Sequence, residues 1–132
     1  MTELEKRELG NTGIEATRIG VGLWAIGGGE WGEVKDRESL NMIDAALEMG
    51  INFFDTADVY GDGHSEEILG QSMKGRRDEF IVATKIGWQG FDGDNQVSQY
   101  DTVDKLIEGV ESNLKRLQTD YVDLIQCHID FQ

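Results

Sequence analysis

Asp55, Tyr60, Lys85 and His128 are the side chains of this sequence whose types and spacing could do chemistry. Asp55 closes the apolar stretch Ile51-Asn52-Phe53-Phe54-Asp55, and Tyr60 follows in a loop bounded by Gly61. Lys85 ends the next apolar run, which starts at Phe80, and His128 ends the one after, which starts at Tyr121. A free tyrosine, with a pKa of about 10, is a poor acid at neutral pH. A lysine ammonium beside it stabilises the tyrosinate and brings that value down. A carboxylate keeps such a lysine charged in a partly buried pocket, and a histidine can donate a hydrogen bond that fixes a carbonyl oxygen. The set therefore suits protonation of an oxygen on which negative charge develops. Tyr60 would be the general acid, Lys85 its tuner, Asp55 the partner of Lys85, and His128 the orienter. General acid catalysis of this kind contributes roughly 10²–10⁴-fold. Taken singly, each residue has an ordinary reading: a turn aspartate, a solvated lysine, a packing tyrosine in a loop, a satisfied polar histidine. The constellation carries the weight, because four ordinary readings would have to coincide.

Such a set needs strands that all end on one side. The pattern supplies them. Arg7 to Ile14 reads as a hairpin around Asn11 and two glycines. Arg18 to Trp24 reads as a first strand. Asp36 is a plausible N-cap for a helix with Leu40, Ile43, Ala46 and Leu47 on one stripe, stopped by Gly50. Ile51 to Asp55 is a second strand. Ser65 caps a second helix, with Glu66 and Glu67 where the helix dipole favours them. Phe80 to Lys85 is a third strand, followed by a long polar loop from Gly87 to Gln99 whose Trp88 and Phe91 could line a pocket or pack on the rim. Asp101 or Thr102 starts a third helix with the stripe Val103, Leu106, Ile107, Val110, Leu114 and Leu117. Tyr121 to Gln126 or Cys127 is a fourth strand. Strands alternating with helices imply a parallel sheet. Period-two alternation puts Ile51, Phe53 and Asp55 on one face, Ile81, Ala83 and Lys85 on one face, and Leu124, Gln126 and His128 on one face. Cys127 then points the other way and is expected to pack under a helix. In a parallel barrel, polar residues at the C-terminal ends of strands read as catalytic.

Asp55-Thr56-Ala57-Asp58-Val59-Tyr60-Gly61, followed by Ser65-Glu66-Glu67-Ile68-Leu69-Gly70, resembles the aldo-keto reductase signature around the catalytic Asp and Tyr. Arg7 to Gly13 resembles the hairpin that plugs the bottom of that barrel, and Gly20-Val21-Gly22-Leu23-Trp24 its first strand. Ala83-Thr84-Lys85 and Tyr121 to His128 resemble the strands bearing its Lys and His. The resemblance implies a partial (β/α)₈ TIM barrel over residues 1–132, with an N-terminal hairpin, about four parallel strands and three helices. It implies NADPH (or NADH) as cofactor, with Gly22, Leu23, Trp24 and Asp55 near the nicotinamide and Trp24 walling the substrate pocket. The substrate class implied is a small-molecule aldehyde or ketone. Two departures stand out. Family members usually follow the histidine with an aromatic residue and a proline, whereas Ile129-Asp130-Phe131-Gln132 follows here. The chain has 132 residues and no proline, where average usage predicts about six or seven and a full barrel takes roughly 250 residues. The expectation is thus the N-terminal half of a barrel, incomplete for grip on the cofactor's adenosine and phosphates. Two other readings stay open: a non-catalytic binding subunit on the same fold, and a barrel enzyme using Lys85 as a Schiff-base nucleophile. A short-chain dehydrogenase would hold its Tyr and Lys a few residues apart on one helix, not 25 apart.

The remaining signals exclude more than they propose. Gly27-Gly28-Gly29 has neither the following Gly-Lys-Ser/Thr of a phosphate loop nor dinucleotide-fingerprint spacing. Asp62 and His64 do not make a metal site. No apolar run approaches the roughly 20 residues that span a bilayer, and the charged start Met1 to Gly10 is not a secretory signal. One cysteine precludes an internal disulfide and fits a reducing compartment, so a cytoplasmic location is expected. A net charge of −14, with 26 acidic against 12 basic residues, argues against nucleic acid or anionic membrane as partner. That excess fits a protein suited to high salt, where self-repulsion is screened. A half-barrel sheet has two open edges, which are expected to drive self-association. One series of melting and sedimentation runs reads both expectations. The melting temperature rises from low to molar KCl, and the sedimenting species exceeds the 14.8 kDa monomer. A flat salt response, or a sharply melting monomer, counts against the respective expectation.

Overall fold

The computed structural model describes residues 2–27, 35–87, 89–92, 95–98 and 100–128. An antiparallel hairpin opens the chain, β1 (Lys6–Glu8) against β2 (Glu15–Thr17). It is followed by β3 (Val21–Gly22), α1 (Asp36–Glu48), β4 (Phe53–Asp55), α2 (His64–Met73) and β5 (Ile81–Ile86). A second hairpin, β6 (Gln89–Asp92) and β7 (Asn95–Ser98), precedes α3 (Val103–Leu117) and β8 (Leu124–Cys127). The central sheet is parallel, in the order β3-β4-β5-β8. Its register sets Gly22 beside Asp55, Asp55 beside Ala83, and Ala83 beside Leu124. The parallel sheet is the one expected from the alternating pattern, and the partial α/β barrel is the one the resemblance implies. No helix among the described residues is long and apolar enough to cross a membrane.

The hairpin is fastened to the sheet by Asn52, the residue before β4. Its side-chain oxygen accepts from Thr17 N at 2.8 Å, and its Nδ2 donates to Glu15 O at 2.9 Å. The apolar core lies on the helix side of the sheet, where Phe54 and Val82 meet Ile43, Ile68, Leu69 and Leu117. Phe54 and Phe80 stack at 4.9 Å between ring centroids. Helix α1 buries Ile43 and Ala46 and ends at Gly50, whose φ of 89° suits glycine. Gly50 N bonds Leu47 O and Ile51 N bonds Ala46 O, which satisfies the last carbonyls of the helix.

Several local expectations change. Only Val21–Gly22 of the apolar run from Arg18 to Trp24 is strand, and Trp24–Gly27 is a 3₁₀ turn. Asp36 lies inside the first turn of α1, with Lys35 at the cap. Its carboxylate instead takes a 2.7 Å contact from His64 Nε2. That bond, more than the one to Glu67, holds His64 above its ordinary value. Ser65 is not a cap either, since α2 starts at His64 and Ser65 is buried. Its hydroxyl donates to Leu23 O at 3.0 Å and meets Thr56 Oγ1 at 2.9 Å, which joins α2 to the ends of β3 and β4. The stretch read as one long loop contains the β6–β7 hairpin. Its strands pair from Gln89↔Ser98 to Asp92↔Asn95. Trp88, Gly28, Gly29 and 129–132 lie outside the described residues, and Phe91 is placed as part of β6 only. The α3 stripe is rotated from its apolar reading. Val103 and Ile107 are 70% and 52% exposed, while Gly109, Asn113 and Leu117 are buried.

The reason is a polar network that α3 must reach. The buried Glu66 carboxylate accepts from Thr84 Oγ1 and Asn113 Nδ2 on one oxygen, and from Arg116 Nε at 2.6 Å on the other. Desolvation pushes Glu66 above the usual carboxylate range, and its three donors pull it back only partly. Removing one partner of such a pair leaves an uncompensated buried charge. Arg116→Met should therefore lower unfolding free energy by about 3 kcal/mol, read by urea denaturation. Arg116→Met in a Glu66→Gln background should cost clearly less. Equal losses in both backgrounds would show that the pair is not what Arg116 contributes.

Candidate active site

The strand ends deliver the four residues to one place. Asp55 is the last residue of β4, Lys85 lies next to last in β5, and His128 directly follows β8. Lys85 and Gln126 are register partners, so both side chains stand on the face that carries Asp55. His128 continues the ladder through its N–H to Ile86 O at 2.8 Å. Tyr60 arrives differently, by a short 3₁₀ turn over Tyr60–Gly63. Within it Gly61, Asp62 and Gly63 all take positive φ, which turns the chain back into α2.

Lys85 is the centre of the arrangement. Its Nζ donates to Asp55 Oδ2 at 2.7 Å, to Thr56 O at 2.8 Å and to Tyr60 Oη at 3.2 Å. Those contacts occupy all three ammonium protons, on a side chain only 13% exposed. A Schiff-base nucleophile needs a neutral amine with a free lone pair, so this geometry suits an electrostatic role for Lys85 better. Asp55 keeps its other oxygen for Gln126 Nε2 at 3.4 Å. The His128 ring meets Tyr60 edge-on, with centroids 5.8 Å apart and planes at 87°. Trp24, which is 55% exposed, lies tilted beside Tyr60 at 6.3 Å. Asp55, Tyr60, Lys85 and His128 are thus all brought together, with Trp24 at the rim. Leu23 is buried and its N–H bonds Asp55 O at 2.9 Å, and Gly22 is the register partner of Asp55.

Burial first, and the Lys85 charge second, hold His128 below its ordinary value, against an opposing pull from Asp58 and Asp55. The ring is therefore uncharged at neutral pH and keeps one N–H to donate. Three contributors were missed in the sequence. Gln126 was visible on the right face, two residues before His128, but glutamine carries no distinctive signal. The Thr56 carbonyl has no side-chain signature at all. Asn113 Nδ2 donates to Lys85 O at 3.2 Å from a helix position that an apolar stripe ignores. Cys127 was expected under a helix and is exposed instead. It sits on the outermost strand, where none of the described helices covers it.

The sequence model described as the Aldo/keto reductase family matches residues 18–132. A curated relative, "Aldo-keto reductase YhdN" of Bacillus subtilis (strain 168), is 47% identical over 129 residues, which is 95% of this chain and 38% of the relative. The holo form of aldo-keto reductase AKR11C1 from Bacillus halodurans superposes with a TM-score of 0.79 at 34% identity, over 95% of this chain and 40% of that one. An aldo-keto reductase from Klebsiella pneumoniae in complex with NADPH gives 0.73 at 27% identity, over 89% and 37%. The chain therefore spans well under half the length of each of these proteins.

The electrostatics of His128 can be checked directly, since the chain has two histidines and His64→Asn assigns their NMR signals. His128 should titrate below 6.5, and Lys85→Met should move it upward by removing a neighbouring positive charge. The unfolded chain takes up this proton at an ordinary value, so His128 contributes stability above pH 6.5 that is lost as the pH falls through the folded value. A His128 signal that does not move upward in Lys85→Met would break the electrostatic link between the two residues.

Proposed function

This chain belongs to the aldo/keto reductase family, and on that premise we propose that it carries the acid–base side of a nicotinamide-dependent oxidoreductase that reduces aldehydes or ketones to alcohols. The observation that carries the reading is Lys85 Nζ standing between Asp55 at 2.7 Å and the Tyr60 hydroxyl at 3.2 Å. Tyr60 is the general acid in this reading. It gives its hydroxyl proton to the carbonyl oxygen as charge builds there, and the Lys85 ammonium stabilises the phenolate left behind. Asp55 holds Lys85 charged and in place. His128, uncharged, donates a hydrogen bond to the same carbonyl oxygen and orients the substrate beside Trp24.

The residues around Asp55 fit a nicotinamide. A Cβ built on Gly22 would meet no atom within 4 Å, so the space above Gly22, next to Asp55, is open to a flat ring. Gly22, Leu23, Trp24 and Asp55 would hold that end of NADPH, or of NADH. The ring supplies hydride to the carbonyl carbon when bound. The Klebsiella pneumoniae relative complexed with NADPH supports this choice of cofactor. The activity is proposed for the protein as a whole, given how much longer its relatives are.

The test measures NADPH binding by fluorescence and aldehyde-dependent loss of NADPH absorbance, for the wild type and Tyr60→Phe. The substitution should lower kcat by roughly 10²–10⁴-fold and leave NADPH affinity unchanged. Tyr60→Phe turning over at the wild-type rate removes Tyr60 from the acid role. A folded chain that does not bind NADPH overturns the reading for this polypeptide.

A further inference from the structure

Against Gly109 of α3 stands a further tyrosine that the chemistry above does not use. Tyr100 precedes α3, and its hydroxyl donates to Asp58 Oδ2 at 2.8 Å. Asp58 is 9% exposed, and its other oxygen has no hydrogen-bond partner among the described residues. A carboxylate so buried depends on the donors it has, and losing one costs more than an average hydrogen bond returns. Tyr100 is kept protonated, with its value raised by burial first and by Asp58 second, so it remains a donor throughout the working range.

Asp58 connects to the site through its backbone. Its N–H donates to Lys85 O at 3.3 Å, and two residues later Tyr60 N donates to Ala57 O at 3.3 Å. The loop from Asp55 to Tyr60 is thus tied to Lys85 at both ends: by Asp58 N to the Lys85 backbone, and by Lys85 Nζ to Thr56 O and Tyr60 Oη. Tyr100 is itself held in register by α3. A Cβ at Gly109 would come within 2.4 Å of its Cε1 atom, so the ring occupies the space that the missing side chain leaves.

Resting on the functional reading above, we propose that Tyr100 is a positioning residue for the Lys85–Tyr60 pair: seated over Gly109 of α3, it grips Asp58 and so fixes the loop that presents Tyr60 to Lys85. It touches neither substrate nor cofactor. Its contribution is the distance between the Lys85 ammonium and the Tyr60 hydroxyl, which the Tyr100–Asp58 hydrogen bond controls. Misplacing a reacting group by about 1 Å can cost about 10²-fold in rate.

The chain has three tyrosines, so ¹³C at tyrosine Cζ gives three NMR signals, assigned by the single Phe substitutions. Lys85→Met defines how the Tyr60 signal moves when its lysine contact is lost. Tyr100→Phe removes the grip, and Gly109→Ala displaces the ring while keeping the hydroxyl. Both should move the Tyr60 signal in the Lys85→Met direction and leave Tyr121 in place, and the double variant should move it no further than Tyr100→Phe alone. If Tyr100→Phe does not fold, Gly109→Ala and Asp58→Asn carry the same test. A Tyr60 signal that stays put in any of these folded variants, or that moves only along with Tyr121, overturns the proposal. The readout needs no turnover. A chain that fails to reduce carbonyls but shows the coupled shift loses its proposed function and keeps this device, and the converse result does the opposite.

Discussion

An ammonium group that water barely reaches must be surrounded by oxygen, and much of this structure follows from meeting that need at Lys85. Burial of an unpaired charge is too costly to persist. The three oxygens around Nζ come from one short segment: the Asp55 side chain, the Thr56 carbonyl and the Tyr60 hydroxyl. That segment cannot turn away as soon as β4 ends. Thr56 N still donates to Ala83 O, and Asp58 N to Lys85 O, so the backbone runs beside β5 beyond the strand proper. Only then do Gly61, Asp62 and Gly63 reverse it through left-handed conformations. The turn is abrupt because Tyr60 must look back at a lysine on the neighbouring strand.

Strand β5 is polar on both faces at its end, which is unusual for a central strand. Lys85 points into the barrel side, and its neighbour Thr84 points the other way, to Glu66. The Lys85 ammonium is served by the end of β4 and the loop after it, and Thr84 by Glu66 of α2 and Asn113 of α3. Asn113 spans the gap between them, since its single side chain donates to Glu66, approaches Thr84 Oγ1 and also reaches Lys85 O. The same helix buries Asn113 and Leu117 and leaves Val103 and Ile107 exposed. The packing of α3 thus answers to hydrogen-bond satisfaction as well as to its hydrophobic stripe, whose Leu117 is fully buried in the core.

What could be read in advance divides along the same physical line. The order of the four parallel strands and the three helices, the shared face of Asp55, Lys85 and His128, and the stop at Gly50 all follow from period, alternation and a glycine, which are local, whereas the β6–β7 hairpin was not legible. Asp36 and Ser65 were misread because a capping residue and a residue with a distant partner look alike in sequence. The partners, His64 and Leu23 O, lie on other elements. Strand β3 came out shorter than its apolar run because only Val21 and Gly22 find ladder partners in β4. Exposure of Cys127 and rotation of α3 depended on which neighbours are present, and composition carries no trace of that. The role of Gln126 falls between: its face was legible, and its partner was not.

The charge balance bears on the site through the range of its repulsion. At least seven of the 12 basic residues already face a carboxylate in an ion pair: Arg7, Arg18, Arg76, Arg77, Lys85, Lys105 and Arg116. The best buried of these, Lys85 and Arg77, are committed to Asp55 and Asp123, and Arg116 to the fully buried Glu66, which leaves little field for a ligand. The anionic cofactor proposed above would therefore meet repulsion at long range on approaching a chain of net charge −14. Salt shortens that range, from about 30 Å at 0.01 M to about 3 Å at 1 M. The ion pair at the centre of the site is affected far less, because its members are close and partly screened from solvent. High salt would then favour encounter while leaving the acid–base geometry intact, so the acidic surface and the lysine-centred site are compatible parts of one design.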